Sequence, residues 1–198
     1  ALRELSREPW WLWPARYHSL EEVPAPEGSA LADEVRYQLF LQWCVDRQWQ
    51  DLREYARSRG IALYGDVPIF VDLDSAEVWT NQHLFKLDAA GVPEVVAGVP
   101  PDAFSETGQR WGNPHYDWAA MRADGYAWWI ERMQRTFSLF DAVRIDHFRG
   151  FESAWEIPAQ APTAVEGHWE PGPGRALFDA LARALGPLPI IVEDLGLI

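Results

Sequence analysis

The chain of 198 residues is poor in the features that would place it outside the reducing interior of a cell or beside a polyanion. It has one cysteine, Cys44, which cannot form an internal disulfide and fits a reducing cytoplasm. No apolar run approaches the roughly 18 residues that a membrane span needs, and no signal-peptide pattern is visible. Basic residues are scarce: 17 Lys and Arg stand against 30 Asp and Glu, a net charge of −13. That balance argues against nucleic acid or an anionic membrane as partner and favours a neutral substrate. There is no Gly-rich phosphate loop, no G-x-S-x-G elbow and no close histidine pair of the H-x-x-x-H kind, so neither a cofactor nor a metal is expected.

What the chain does have is apolar and aromatic. Hydrophobic residues make up 48% and charged residues 24%, the balance of a globular domain rather than a disordered one. Twelve tryptophans exceed what a core of this size requires. Indole rings suit flat, partly apolar ligands such as sugars, while the plainer role for several of them is helix packing.

In chain order, residues 1–32 are rich in Trp, Pro and Glu, lack a sustained period and read as a helical or irregular insertion. Apolar residues at helical spacing, from Val35 through Leu39, Trp43, Trp49 and Leu52 to Ala56, predict a long amphipathic helix capped by Asp33 and ended by Gly60. Ile61–Gly65 reads as a short strand closing on Asp66 and stopped by Pro68. Residues 97–114 carry Gly and Pro at both ends with Phe104 and Trp111 between, the make-up of a mobile flap. Helical character returns over 117–140 with a break at Gly125, followed by a strand over 142–146. A Pro- and Gly-rich excursion runs from 148 to 174, a helix from Arg175 to Leu185, and a last strand from Leu188 to Val192. Strands joined by helical crossovers indicate an α/β fold with a parallel sheet.

The stretch F-D-A-V-R-I-D-H, from Phe140 to His147, organises the rest. Strand side chains alternate, so Arg144 and Asp146 share the face opposite Val143 and Ile145. A guanidinium beside Asp146 lowers its pKa and keeps it ionised, which a covalent nucleophile requires. An isolated R-x-D is also an ordinary structural ion pair. Each predicted strand, however, ends in an acid: Asp66, Asp146 or Glu193. At the carboxyl-end rim of a β/α barrel the three would converge. Two such carboxylates flanking a sugar are the machinery of glycoside cleavage, and a separation of roughly 5–5.5 Å makes it retaining. Glu193 follows Ile190, Ile191 and Val192, and an apolar setting would raise its pKa, as suits an acid/base; Asp194 faces away and reads as structural.

Five stretches then carry a resemblance: Y-G-D-V-P-I-F-V (64–71), G-V-P-P-D-A-F-S-E-T-G-Q-R-W-G-N-P (98–114), F-D-A-V-R-I-D-H-F-R-G-F (140–151), W-E-I-P-A (155–159) and I-V-E-D-L-G (191–196). In this order, over nearly the whole chain, they resemble the amylomaltases, 4-α-glucanotransferases of glycoside hydrolase family 77. The resemblance implies part of a (β/α)8 barrel in residues 33–198, with the flap at 97–114. It implies Asp146 as nucleophile, Glu193 as acid/base and Arg144 as the nucleophile's partner. Asp66 and His147 become donor-sugar contacts, the segment around Asp102, Phe104, Gln109 and Trp111 a flap over the acceptor sites, and Asn113 a further substrate contact. The implied substrates are α-1,4-glucans and maltooligosaccharides, transferred to a 4-hydroxyl through a covalent glycosyl-aspartate.

Two departures qualify the resemblance. Ala103 stands where many members carry an aromatic residue. The family's third catalytic carboxylate, in an H-D pair on a later strand, has no counterpart here, and only three of eight barrel strands are readable, where a full barrel takes about 250 residues. The expectation is an internal piece that is inactive alone. The competing readings are an α-glucan hydrolase of the amylase clan and a non-catalytic glucan-binding protein.

Overall fold

Ser29 opens the longest helix in the computed structural model, which describes residues 1–19 and 26–193. By its contacts the chain divides into two units, Ala1–Leu63 and Tyr64–Ile198. In the first, α1 (Leu2–Ser6) and two 3-10 turns (Trp10–Leu12 and Ala15–Tyr17) precede α2 (Ala30–Ser58). The boundary expected at residue 32 therefore lies inside α2. The cap is Ser29 rather than Asp33: Ser29 is extended, and its hydroxyl accepts the Ala32 N–H at 3.2 Å, whereas Asp33 is already helical. Gly60, at φ +70°, ends the helix as expected. The periodic apolar residues are helical, but Leu39, Trp43 and Leu52 stand exposed, and within α2 only Ala32 and Ala56 are buried. No described helix is long and apolar enough to cross a membrane.

The second unit holds two sheets. A parallel sheet in the order β1-β4-β7 joins β1 (Tyr64–Pro68), β4 (Ala142–Asp146) and β7 (Ile190–Val192). Between β1 and β4 lie α3 (Ala76–Thr80), α4 (Trp118–Ala123) and α5 (Ala127–Leu139), and α6 (Arg175–Leu185) precedes β7. β4 and α6 have the bounds that alternation and periodicity predict. β1 does not: it starts three residues late and runs through Pro68. Proline is tolerated there because β1 pairs only with β4 among the described residues, so the missing N–H breaks no second ladder. Asp66 thus sits mid-strand, not at the strand end.

The second sheet was not expected. Residues 148–174 and the flap contribute to four antiparallel strands in the order β3-β2-β5-β6: β2 (Val95–Val99), β3 (Gln109–Pro114), β5 (Ser153–Pro158) and β6 (His168–Pro171). The flap is therefore a hairpin whose tip spans 100–108. Gly98 makes it possible, since a Cβ there would lie 2.1 Å from the Gln109 carbonyl oxygen.

Much of the tryptophan excess goes into the core. Tyr116 and Trp129 are almost completely buried with Phe85, Trp128 and Phe151, ring on ring. Arg132 lies over the Trp129 ring at 4.8 Å and donates to the Pro68 carbonyl at 2.7 Å, tying α5 to the carboxyl end of β1.

A polar knot sits in the antiparallel sheet. Lys86 Nζ lies 2.5 Å from Glu156 Oε1 and 3.3 Å from Glu170 Oε1. His115, 2% exposed, has Nδ1 3.5 Å from the same Glu156 oxygen and Nε2 3.2 Å from the Trp155 carbonyl, while exposed His168 stands 3.7 Å from Glu156. Lys86 already neutralises the glutamate, so a second buried cation gains little. Burial, with Lys86 and His168 nearby, pushes the His115 pKa down from 6.5 to about 4. The unfolded chain then binds the proton first. This contribution to stability is complete above about pH 6.5 and falls as pH drops toward 4, by about 3 kcal/mol in all. Urea unfolding between pH 4 and 7.5 should show a shallower decline for His115→Gln than for the parent; equal slopes would contradict the buried neutral imidazole.

Candidate active site

Three acids meet on one guanidinium. Parallel pairing sets Asp66 beside Arg144 and Ile145 beside Val192, so Glu193 follows onto the end where Asp146 lies. Arg144 Nε donates to Asp66 Oδ1 at 3.1 Å and Nη2 to Asp66 Oδ2 at 2.7 Å, a bidentate pair. Nη1 donates to Glu193 Oε1 at 3.1 Å, and Nη2 lies 3.2 Å from Asp146 Oδ1. The convergence expected of Asp66, Asp146 and Glu193 is met, with Asp66 reaching it from mid-strand. The site is open to solvent: Arg144, Asp66 and Asp146 side chains are 42%, 58% and 45% exposed. The network positions these groups more than it stabilises the fold.

His147 closes the arrangement. It takes a left-handed φ of +51° at the start of the 3-10 turn Phe148–Phe151, a strained conformation for a residue with a side chain. The twist leaves its backbone N–H donating to Glu193 Oε2 at 2.9 Å. Its ring meets Trp111 edge-on at 4.9 Å, and Nε2 is buried without a hydrogen-bond partner among the described residues. Burial lowers the imidazole pKa, which keeps the ring neutral.

The pKa directions reverse the expectation for the two central acids. Asp146 is pushed up, by partial desolvation and then by its hydrogen bond with Glu193 and that group's charge, against the pull of Arg144. Glu193 is pulled down by the His147 N–H first and by the Asp146 hydrogen bond next. The flanking Ile190-Ile191-Val192 cannot raise Glu193, because Ile191 and Val192 are themselves 47% exposed. The titration of each acid depends on the other, and the hydrogen bond between the two carboxyls raises the one and lowers the other. Asp194 lies outside the described residues.

Two cavities share Trp111, Asp146 and His147. The larger, of about 620 Å³, adds Asp102, Ala103, Phe104 and Gln109 from the flap with Glu193, Arg149 and Trp169; the smaller, of about 190 Å³, adds Pro68, Ile69, Phe70 and Asn113. Phe104 is 99% exposed at the flap tip, where Asp102 Oδ1 accepts the Phe104 and Ser105 N–H groups and shapes the turn. Gln109 accepts from the Trp111 indole at 3.0 Å, and Asn113 donates to the Val71 carbonyl at 3.0 Å. Asp66 lines neither cavity. Sequence reading missed Arg149 and Trp169; Arg149 lies within D-H-F-R-G, and Trp169 is on a strand too short to announce itself.

Arg144 already supplies the cation for the three acids. Glu156, His168 and Glu170 bring ligand atoms within 4.8 Å of one another, and Lys86 occupies that role between the two glutamates.

A profile of the 4-alpha-glucanotransferase family matches residues 1–198. The chain is 52% identical over 191 residues to the 4-alpha-glucanotransferase of Thermus thermophilus, covering 96% of this chain and 38% of that protein. It is 48% identical over 194 residues to the chloroplastic/amyloplastic enzyme of Solanum tuberosum, covering 96% and 33%. Its structure matches the amylomaltase from Streptococcus agalactiae in complex with acarbose with a TM-score of 0.89 at 41% identity, over 100% of this chain and 41% of that one. The chain thus spans about two fifths or less of the proteins it resembles.

The opposed shifts of the two acids make a prediction of their own. In Glu193→Gln, the Asp146 carboxyl, followed by ¹³C NMR, should titrate at lower pH than in the parent, because a charge and a carboxylate partner are gone while the desolvation remains. An unmoved Asp146 titration would show that Glu193 does not raise the Asp146 pKa.

Proposed function

Because the chain belongs to the 4-alpha-glucanotransferase family, we propose that it is the nucleophile-bearing part of a longer amylomaltase, an enzyme that moves segments of α-1,4-glucan from one chain to another. The observation that carries this reading is the joint hold of Arg144 on Asp66, Asp146 and Glu193 beside an aromatic-lined cavity. Asp146 attacks the anomeric carbon and forms a glycosyl ester, while Glu193 protonates the departing 4-oxygen. Glu193 then takes the proton of the incoming sugar's 4-hydroxyl as that oxygen displaces Asp146. Glu193 must carry a proton when a glycosidic oxygen arrives. That oxygen replaces Asp146 as the neighbour of Glu193, leaving Asp146 with Arg144.

The two cavities suit the two sides of that bond. Glu193, which serves the leaving and attacking oxygens, lines the larger cavity with the flap, so we assign acceptor sugars there. The smaller cavity, lined by Asn113, Phe70 and His147, takes the donor side. The acarbose complex of the Streptococcus agalactiae amylomaltase supports a sugar ligand for this cleft. Trp111 and Phe104 would restrict water at the ester, which favours transfer over hydrolysis.

We further propose that β1, β4 and β7 are three adjacent strands of a (β/α)8 barrel. Their outer edges are unpaired among the described residues, and the exposed Leu39, Phe40 and Trp43 of α2 form the kind of surface that more protein covers. A cytoplasmic setting accords with the free Cys44.

The full-length enzyme given maltotriose alone should produce glucose with a ladder of longer maltooligosaccharides, and Asp146→Asn should abolish the ladder while maltotriose still binds. Glucose and maltose without a ladder would make it a hydrolase. Binding with no turnover in the unmutated enzyme would make it a glucan-binding protein.

A further inference from the structure

Two arginines approach the candidate site, and they differ in what their donors meet. Arg144 spends its guanidinium on three carboxylates. Arg149, three residues beyond Asp146, makes no side-chain hydrogen bond or ion pair with any described residue, although it is half-buried. Its guanidinium carbon lies 3.9 Å above the ring centre of Trp169, and both side chains line the larger cavity together with Asp102, Trp111 and Glu193.

Trp169 is itself held. It stands opposite Trp155 across the β5–β6 ladder, edge to face at 5.2 Å, and the Trp155 indole donates to the Ala164 carbonyl at 2.8 Å. The indole face therefore fixes the plane of the guanidinium by cation–π attraction without consuming its N–H groups, as a carboxylate would. A planar array of donors, oriented from behind and unspent on the described residues, suits the hydroxyl oxygens of a neutral sugar, which are acceptors. The nearby acids disfavour an anionic ligand.

Resting on the assignment of the larger cavity to acceptor sugars, we infer that Arg149, backed by Trp169, is a specificity-determining contact for the acceptor sugar. Arg149 donates to sugar hydroxyls in the cavity that Glu193 lines. Trp169 is a positioning residue that acts through Arg149. The pair therefore helps a sugar compete with water for the glycosyl ester and has no part in forming that ester.

The test separates the two half-reactions in the full-length enzyme. α-Glucosyl fluoride loads Asp146 without needing an acceptor, and glucose or maltose at varied concentration then unloads it. Arg149→Gln should raise the KM for the acceptor about tenfold or more, the effect of losing hydrogen bonds to a charged donor, and shift product from transfer toward hydrolysis. Its loading rate should stay within about twofold of the parent's, which also shows that the variant is folded. Arg149→Lys should recover part of the acceptor affinity, Trp169→Phe most of it, and Trp169→Ala should resemble Arg149→Gln. An unchanged acceptor KM in Arg149→Gln would overturn the inference, and so would an equal loss of loading and unloading, since that is what a merely structural clamp would give. If the unmutated enzyme forms no transfer product at all, the glucanotransferase reading itself fails, and this inference fails with it.

Discussion

The arrangement depends on how one guanidinium divides itself among three carboxylates. Like charges crowded at a strand end repel, and without a cation Asp66, Asp146 and Glu193 would drift apart or take up protons. Arg144 prevents this from the centre of the sheet, because β4 has a partner on each side: β1 brings Asp66 and β7 brings Glu193. Parallel register alone sets the order of the acids, and no loop has to find them. The exposure of the network means that its worth lies in geometry and charge more than in folding energy.

The second constraint is the turn at His147. Its left-handed φ spends backbone strain to aim an N–H at Glu193, and the same twist buries the imidazole against Trp111. Trp111 belongs to β3, so the antiparallel sheet and the parallel sheet meet beside Asp146 and Glu193. The flap is held as a hairpin in a four-stranded sheet, and that sheet also carries Trp169. Flap, Glu193 and Arg149 thus line one cavity although the flap residues are 99–109.

Much of this was legible in the sequence where a local pattern decides. The alternation of A-V-R-I-D placed Arg144 and Asp146 on one face, and the period of Arg175–Leu185 with Gly186 bounded α6. Where neighbours decide, the reading failed. Pro68 reads as a strand stop unless one knows that β1 has a single partner. The strands of the antiparallel sheet are four to six residues long and pair across up to about 60 residues, so neither periodicity nor spacing reveals them. The pKa order of Asp146 and Glu193 depends on a backbone N–H aimed by a positive φ at a residue that is not glycine, which no residue type announces. Arg149 was passed over because what distinguishes it is the absence of a carboxylate partner, a property of tertiary structure.

The most direct test of the central role of Arg144 is the rate at which α-glucosyl fluoride loads the full-length enzyme in Arg144→Gln, measured beside its melting temperature. An electrostatic organiser predicts a loading rate lower by about a hundredfold or more. It predicts little change in melting, since exposed ion pairs contribute little to folding stability. Loading at nearly the parent rate would contradict the account, because the three acids would then be placed without the arginine.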